Sequence, residues 1–390
     1  MRPEKKMKMQ RKTQPANRES NLELYRIIVM LLIVAHHYVV NSGLVLAENG
    51  IYADPMSIKS LVLLLLGAWG KIGINCFVLI TGYFMCTSGI SWRKVGKLLL
   101  EIMFYRLLIK GIFWAVGYEA FSTVELIQAV IPVTQIASGF SAAFLVFYLF
   151  IPFLNLLIKN MTQKQHGLLL LLCGFLYVFL GTVPFLQVKM NYVSWFMVLY
   201  LIAAYIRLYP EPVFSNRKLW GWATAASVLL SATSVVVCTW LGTRLPSGLL
   251  AHLVSGSYAN SNFSYYFVTD SNTFLAVATA VCSFLYVRNV NLRYCPWVNR
   301  IAATTFGVLL IHTAGEAMRK WLWNDLLRCV DAYQSPWVYL HVVVSVIGVF
   351  AVCSALDMLR IRFLEGPMLK LWDKIPEAVK KSKFGQKIIK

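Results

Sequence analysis

Asn21-Leu-Glu-Leu-Tyr-Arg26-Ile-Ile-Val-Met-Leu-Leu-Ile-Val-Ala-His36-His37-Tyr38 decides how this chain folds. Nine apolar residues in a row separate Arg26 from His36, and the apolar character extends over about residues 22–42, the roughly 20 residues needed to cross a bilayer as a helix. The run contains Arg26, His36 and His37 and is followed by no clean small-residue cleavage site, which argues against a cleavable signal. The composition extends the reading to the whole chain. Of 390 residues, 58% are apolar and only 14% are charged, yet the net charge is +20. A soluble domain of this length could not bury so much apolar surface around one core, and a disordered chain would be poor in apolar and aromatic residues. The expected class is all-α, a polytopic membrane protein.

Ten spans of adequate length follow along the chain, at about 22–42, 67–87, 98–118, 140–158, 167–185, 194–209, 220–242, 271–288, 301–318 and 336–358. The basic residues test that count. With the N-terminus in the cytosol, the segments 1–21, 88–97, 159–166, 207–219, 288–300 and 359–390 hold 27 of the 37 Lys and Arg. The opposite loops hold six, and Arg26, Lys71, Arg106 and Lys110 lie within apolar runs. An excess of Lys and Arg on the cytosolic side is what orients such helices, so both termini are expected in the cytosol. The organisation predicted is a basic N-terminal tail (1–21), a ten-helix membrane domain (22–358) and a basic C-terminal tail (359–390). The two tails alone carry +11 and suit contact with anionic membrane lipid rather than nucleic acid. The eight cysteines show no CxxC pair and no metal spacing, so packing is their expected role and no metal is expected.

Ionisable residues inside a span are costly and point to function. Arg26 and His37 are eleven residues apart, an offset of about three turns plus 20°, so they share one helix face roughly 16 Å apart. Asn41 continues that face; His36 points about 80° away from Arg26. An arginine near the cytosolic end can meet a phosphate, and an imidazole shielded from water can take a proton from a hydroxyl. In the ninth span His312 sits at a depth comparable with His37, and Glu316, one helical turn further, is expected on the same face, where it could orient the ring. The approach to the third span, Trp92-Arg93-Lys94-Val-Gly-Lys97, is a basic cluster suited either to lipid headgroups or to the phosphates of a soluble donor. His166 and His252 are placed in loops and His341 near the outer boundary. Buried Arg, Lys, Glu and His would also suit a transporter or flippase of a lipid-linked sugar, although no internal repeat accompanies them.

The motifs together resemble the acyltransferase 3 family of bacterial membrane O-acyltransferases. Glu23-Leu-Tyr-Arg26 through His36-His37 is similar to that family's opening. Gly73-Ile-Asn-Cys-Phe-Val-Leu-Ile-Thr-Gly82-Tyr83-Phe84, Tyr148-Leu-Phe-Ile-Pro152-Phe-Leu-Asn155, Trp195 through Arg207 and Thr305-Phe-Gly-Val-Leu-Leu-Ile-His312 resemble later spans in the same order, over roughly residues 18–365. The resemblance implies ten helices with cytosolic ends in the bacterial plasma membrane. It also implies transfer of an acyl group, often acetyl, from cytosolic acyl-CoA to a hydroxyl on an extracytoplasmic glycan. In that frame His37 stands where the family has its essential first-span histidine, with His36, His312 and Glu316 beside it. Arg26 stands where the family has its arginine, with Arg93, Lys94 and Lys97 on the donor side. Many members carry Arg-x-x-Arg where this chain has Lys94-Val-Gly-Lys97, which keeps the charge but loses the planar fork.

Overall fold

A computed structural model describes residues 19–134, 139–184, 190–246 and 263–381, together with Leu186, Val188 and Leu249. His252, Lys189, much of the 243–269 loop and most of the N-terminal tail lie outside the described residues.

The described chain is helical with no strand. In order, the helices are α1 (Ser20–Val40), α2 (Ile58–Gly67), α3 (Gly70–Met85), α4 (Trp92–Ala115), α5 (Thr123–Val130), α6 (Phe140–Lys159), α7 (Gln163–Thr182) and α8 (Tyr192–Leu208). They continue as α9 (Arg217–Gly242), α10 (Phe274–Arg288), α11 (Pro296–Ala302), α12 (Thr305–His312), α13 (Glu316–Leu326), α14 (Cys329–Gln334), α15 (Val338–Phe363) and α16 (Glu365–Lys381). Every expected span overlaps at least one helix. Among the described residues six helical stretches are long and apolar enough to cross a bilayer, or seven if α11–α13 count as one. At 17 and 15 residues, α8 and α10 are shorter. The 24 residues of α4 carry Arg93, Lys94 and Lys97 in the first turns and Glu101, Arg106 and Lys110 further along.

Starts are set by local capping. Ser91 accepts from the Lys94 backbone N–H, Asn216 from Leu219 and Asn191 from Ser194, each satisfying a donor the first turn leaves open. Thr162 and Gln165 form a reciprocal capping box at the start of α7. That cap turns the expected loop residue His166 into a buried first-turn residue whose Nε2 meets the Leu201 carbonyl at 3.1 Å.

The helices alternate between two ends of the bundle. At the near end, where α1 starts, Asn21 donates to the carbonyls of Val287, Arg288 and Val290, Ser20 to Asn299, and Asn155 to Met85. At the far end Tyr118 reaches Asp325, Lys59 the Tyr333 carbonyl and Tyr266 the Thr182 carbonyl. The loops grouped by their basic residues thus gather at one end.

α3 is central, packing on α1, α8 and α10. Its glycines permit this. A Cβ at Gly70 would collide with the His36 ring, one at Gly73 would press Ile33 of α1, and one at Gly82 would press Ala203 and Tyr200 of α8. A buried charge cluster ties α4 to α15: Arg360 meets Glu101 at 2.9 Å and Asp357 at 2.6 Å, and Tyr105 donates to Asp357 at 2.7 Å. The segment read as a C-terminal tail is helical through Lys381. It lies on the start of α4, with Trp372 stacked on Trp92 at 4.3 Å.

Candidate active site

α1 is unbroken from Ser20 to Val40, so the expected spacing of Arg26 and His37 along one helix holds. Near its far end it presents two histidines to different neighbours. His36 Nδ1 lies 2.5 Å from the Gly67 carbonyl. That carbonyl is available because α2 stops at Gly67 and the chain passes through Ala68 and Trp69 into α3, leaving last-turn carbonyls without helical partners. His37 Nδ1 lies 2.9 Å from His312 Nε2, and His312 Nδ1 lies 2.6 Å from the Val308 carbonyl of its own helix. His312 is fully buried.

These contacts fix the protons of the neutral rings. A carbonyl only accepts, so His312 carries its proton on Nδ1 and its Nε2 is an acceptor. His37 therefore donates from Nδ1, which leaves the lone pair of His37 on Nε2. The same argument places the proton of His36 on Nδ1, toward Gly67. His37 is thus oriented by a second residue in a tautomer able to receive a proton on Nε2.

Two cavities meet here. The inner one, about 620 Å³, is lined by His36, His37, Ile74, Phe77, Leu309 and Arg319 among others. The larger, about 1420 Å³, occupies the far end of the bundle. His36, Asn41, Lys71, Lys110, Glu316 and Arg319 border both. At this junction Lys71 bonds Tyr192 and faces Asp270 at 3.6 Å, and Lys110 is held by Glu119 at 2.8 Å and Glu125 at 2.9 Å. Arg319 donates to the Gly315 carbonyl.

Several expectations change. Glu316 does not continue the face of His312. α12 ends at His312, the chain crosses Thr313–Gly315, and the helices on either side of this break lie at 99°. Both ring nitrogens of His312 are engaged elsewhere, and Glu316 instead borders both cavities. Arg26 lies 3.8 Å from Glu23 and lines neither cavity. On α4, Lys97 pairs with Glu365 at 2.8 Å, Arg93 with Asp373 at 3.9 Å, and Lys94 donates to the Gly89 carbonyl. Two of the three cations of the basic cluster therefore reach α16.

Sequence reasoning missed Arg319, which it counted as a loop cation, and gave Lys71 no role, although its place in an apolar run was a signal. His341, at the far end as expected, accepts from or donates to Tyr38 at 2.8 Å. All eight cysteines are free within the described residues, with Cys76, Cys238, Cys329 and Cys353 buried. Among these residues no group of three or more His, Cys, Asp or Glu is arranged to hold a metal ion.

Comparison with curated proteins and with solved structures returned no match. The family model described as an acyltransferase domain matches residues 19–357, which include α1 with its two histidines, the His312 helix and nearly all of the bundle. That match covers most of the chain, and the protein belongs to the acyltransferase 3 family of membrane acyltransferases.

Proposed function

We propose that the protein is an O-acyltransferase, with acetyl as the transferred group, taking it from cytosolic acyl-CoA to a hydroxyl of a glycan outside the bacterial plasma membrane. The observation that carries this reading is the His37–His312 contact at 2.9 Å, beside a cavity that opens toward the far end. In this reading the near end, with its concentration of Lys and Arg, faces the cytosol.

The acceptor hydroxyl gives its proton to His37 Nε2, and its oxygen attacks the thioester carbonyl. The C–S bond then breaks, and the thiolate leaves with the proton His37 holds. The resulting imidazolium keeps donating from Nδ1 to His312, whose own Nδ1–H rests on Val308. A neutral orienter stabilises the imidazolium less than a carboxylate would, but it fixes the tautomer equally well. Arg319 supplies positive charge near the developing oxyanion. Glu316 and Lys71, on the shared wall, contact the acceptor rather than the thioester. The aliphatic and aromatic wall of the inner cavity, including Ile74, Phe77 and Leu309, suits a short acyl chain.

Labelled acetyl-CoA supplied to the cytosolic side, followed by mass spectrometry of surface glycans from cells with and without the protein, tests this. Label on the glycan and a mass increment of one acetyl group are expected. Transfer of a larger acyl group would keep the reaction and change the donor. Glycan moved across the membrane without label would replace the reading with transport.

A further inference from the structure

At the near end, far from the histidines, two arginines converge on a single phenol oxygen. Tyr83, in the Thr81-Gly-Tyr-Phe84 turn of α3, is buried, and its hydroxyl accepts twice: from Arg207 Nη1 at 2.6 Å and from Arg288 Nε at 3.0 Å. Both guanidinium groups also lie against the Tyr83 ring, at 4.5 and 5.4 Å from its centroid. Arg207 lies in the last turn of α8 and is exposed; Arg288 ends α10 and is half-buried.

This arrangement is costly as it stands. Two cations are drawn to one phenol, and no carboxylate among the described residues lies within ion-pair distance of either. The nearby acid in sequence, Glu211, accepts from Gln163. Arg288 Nη1 is buried and reaches no acceptor among these residues. With both lone pairs of Tyr83 occupied, its own O–H also has none there. A buried donor without a partner is destabilising, and guanidinium groups match phosphate oxygens in pairs. Three other near-end cations differ: Arg93 and Lys97 are met by carboxylates of α16, and Arg360 by three acids.

We infer that Arg207, Arg288 and Tyr83 form a binding site for a phosphate ester at the near end of the bundle. Its occupant rests on the reading above: the phosphates of the acyl-CoA donor. Asn21, bonded to the Arg288 carbonyl, is sixteen residues before His37, about 24 Å along α1. A donor bound here by its phosphates would extend its thioester toward His37. The same chemistry would also fit the phosphate of an anionic lipid.

The full chain in nanodiscs of zwitterionic lipid is titrated calorimetrically with CoA and with inorganic pyrophosphate. Retention of phosphatidylglycerol is measured in parallel after purification from mixed-lipid membranes. Arg288→Gln and Arg207→Gln are each expected to weaken CoA and pyrophosphate binding by roughly 10- to 100-fold. Arg207→Lys and Tyr83→Phe should weaken them less. His37→Gln should bind CoA as the unaltered protein does, even though its transfer is impaired. Variants are compared only where their melting temperature and elution profile match the parent. If the arginine variants lose phosphatidylglycerol but bind CoA normally, the phosphate site stands and the donor assignment falls. If neither CoA, pyrophosphate nor lipid binding changes in a folded Arg288→Gln or Arg207→Gln protein, the site is refuted. Loss of transfer with CoA binding intact in these variants would refute the donor assignment while leaving the acyltransferase reading untouched.

Discussion

At the scale of single residues, a hydrogen-bond chain from His37 through His312 to the Val308 carbonyl does the chemical work of orientation. Replacing His37 with Gln removes the proposed base, and kcat/KM for acyl transfer should fall by about 10²–10⁴-fold. His312→Gln keeps an acceptor for His37 Nδ1, whereas His312→Leu does not. The leucine variant should lose roughly 10- to 100-fold more activity than the glutamine variant. Equal activity of the two, at equal protein level, would mean that His312 does not orient His37. The rate should also drop as pH falls, because a protonated His37 cannot accept the hydroxyl's proton. A second residue-scale expectation concerns stability. Arg360 neutralises Glu101 and Asp357 inside the bundle, and its removal leaves two uncompensated buried carboxylates. Arg360→Met should destabilise the protein by about 3–5 kcal/mol, read as a lower melting temperature in detergent. Replacing all three with apolar residues of similar volume should recover much of that loss.

At the scale of elements, breaks matter as much as helices. The end of α2 at Gly67 provides the carbonyl that holds His36, and the end of α12 at His312 sends Glu316 off at 99°. The first break falls where the expected second span begins, at about residue 67, whereas the second was not legible. The run at about 301–318 reads as a single span, and hydropathy has no term for a change of direction. The helical count that pairs residues four apart on one face assumes the helix continues, and here it does not. By contrast α1 was legible residue by residue, because it is unbroken and its periodicity alone sets which side chains align. The glycines of α3 carry an element-scale expectation. Gly82 lets α3 approach Ala203 and Tyr200 of α8, so Gly82→Leu overpacks that contact and should cost about 1–3 kcal/mol. A melting temperature unchanged by this substitution would show that the two helices can part without penalty.

At the scale of the whole molecule, the basic residues and the hydrogen bonds agree on two ends. The loops after α3, α6, α8 and α10 share the near end with the start of α1, and the cavities open at the other. With the near end in the cytosol, a single cysteine placed by Glu48→Cys in a cysteine-free background should react with a membrane-impermeant maleimide in intact cells. One placed by Asn216→Cys should react only after permeabilisation. The reverse pattern would turn the molecule over and put the acyl donor and the histidine cavity on opposite sides from those proposed.

The sequence by itself determined the class of molecule, the order of its apolar helices, the alignment of Arg26 with His37 and the family resemblance. These depend on composition and on short-range periodicity, which are local properties of a chain. Only the tertiary structure decided which charges are spoken for. Lys97 and Arg93 are occupied by carboxylates some 270 to 280 residues away in sequence, Arg360 closes on Glu101, and Arg207 and Arg288 meet over Tyr83. It also decided that His37 finds His312 rather than a carboxylate. Such pairings depend on where helices stop and which faces they turn to one another, and those are set by packing between segments far apart in the chain.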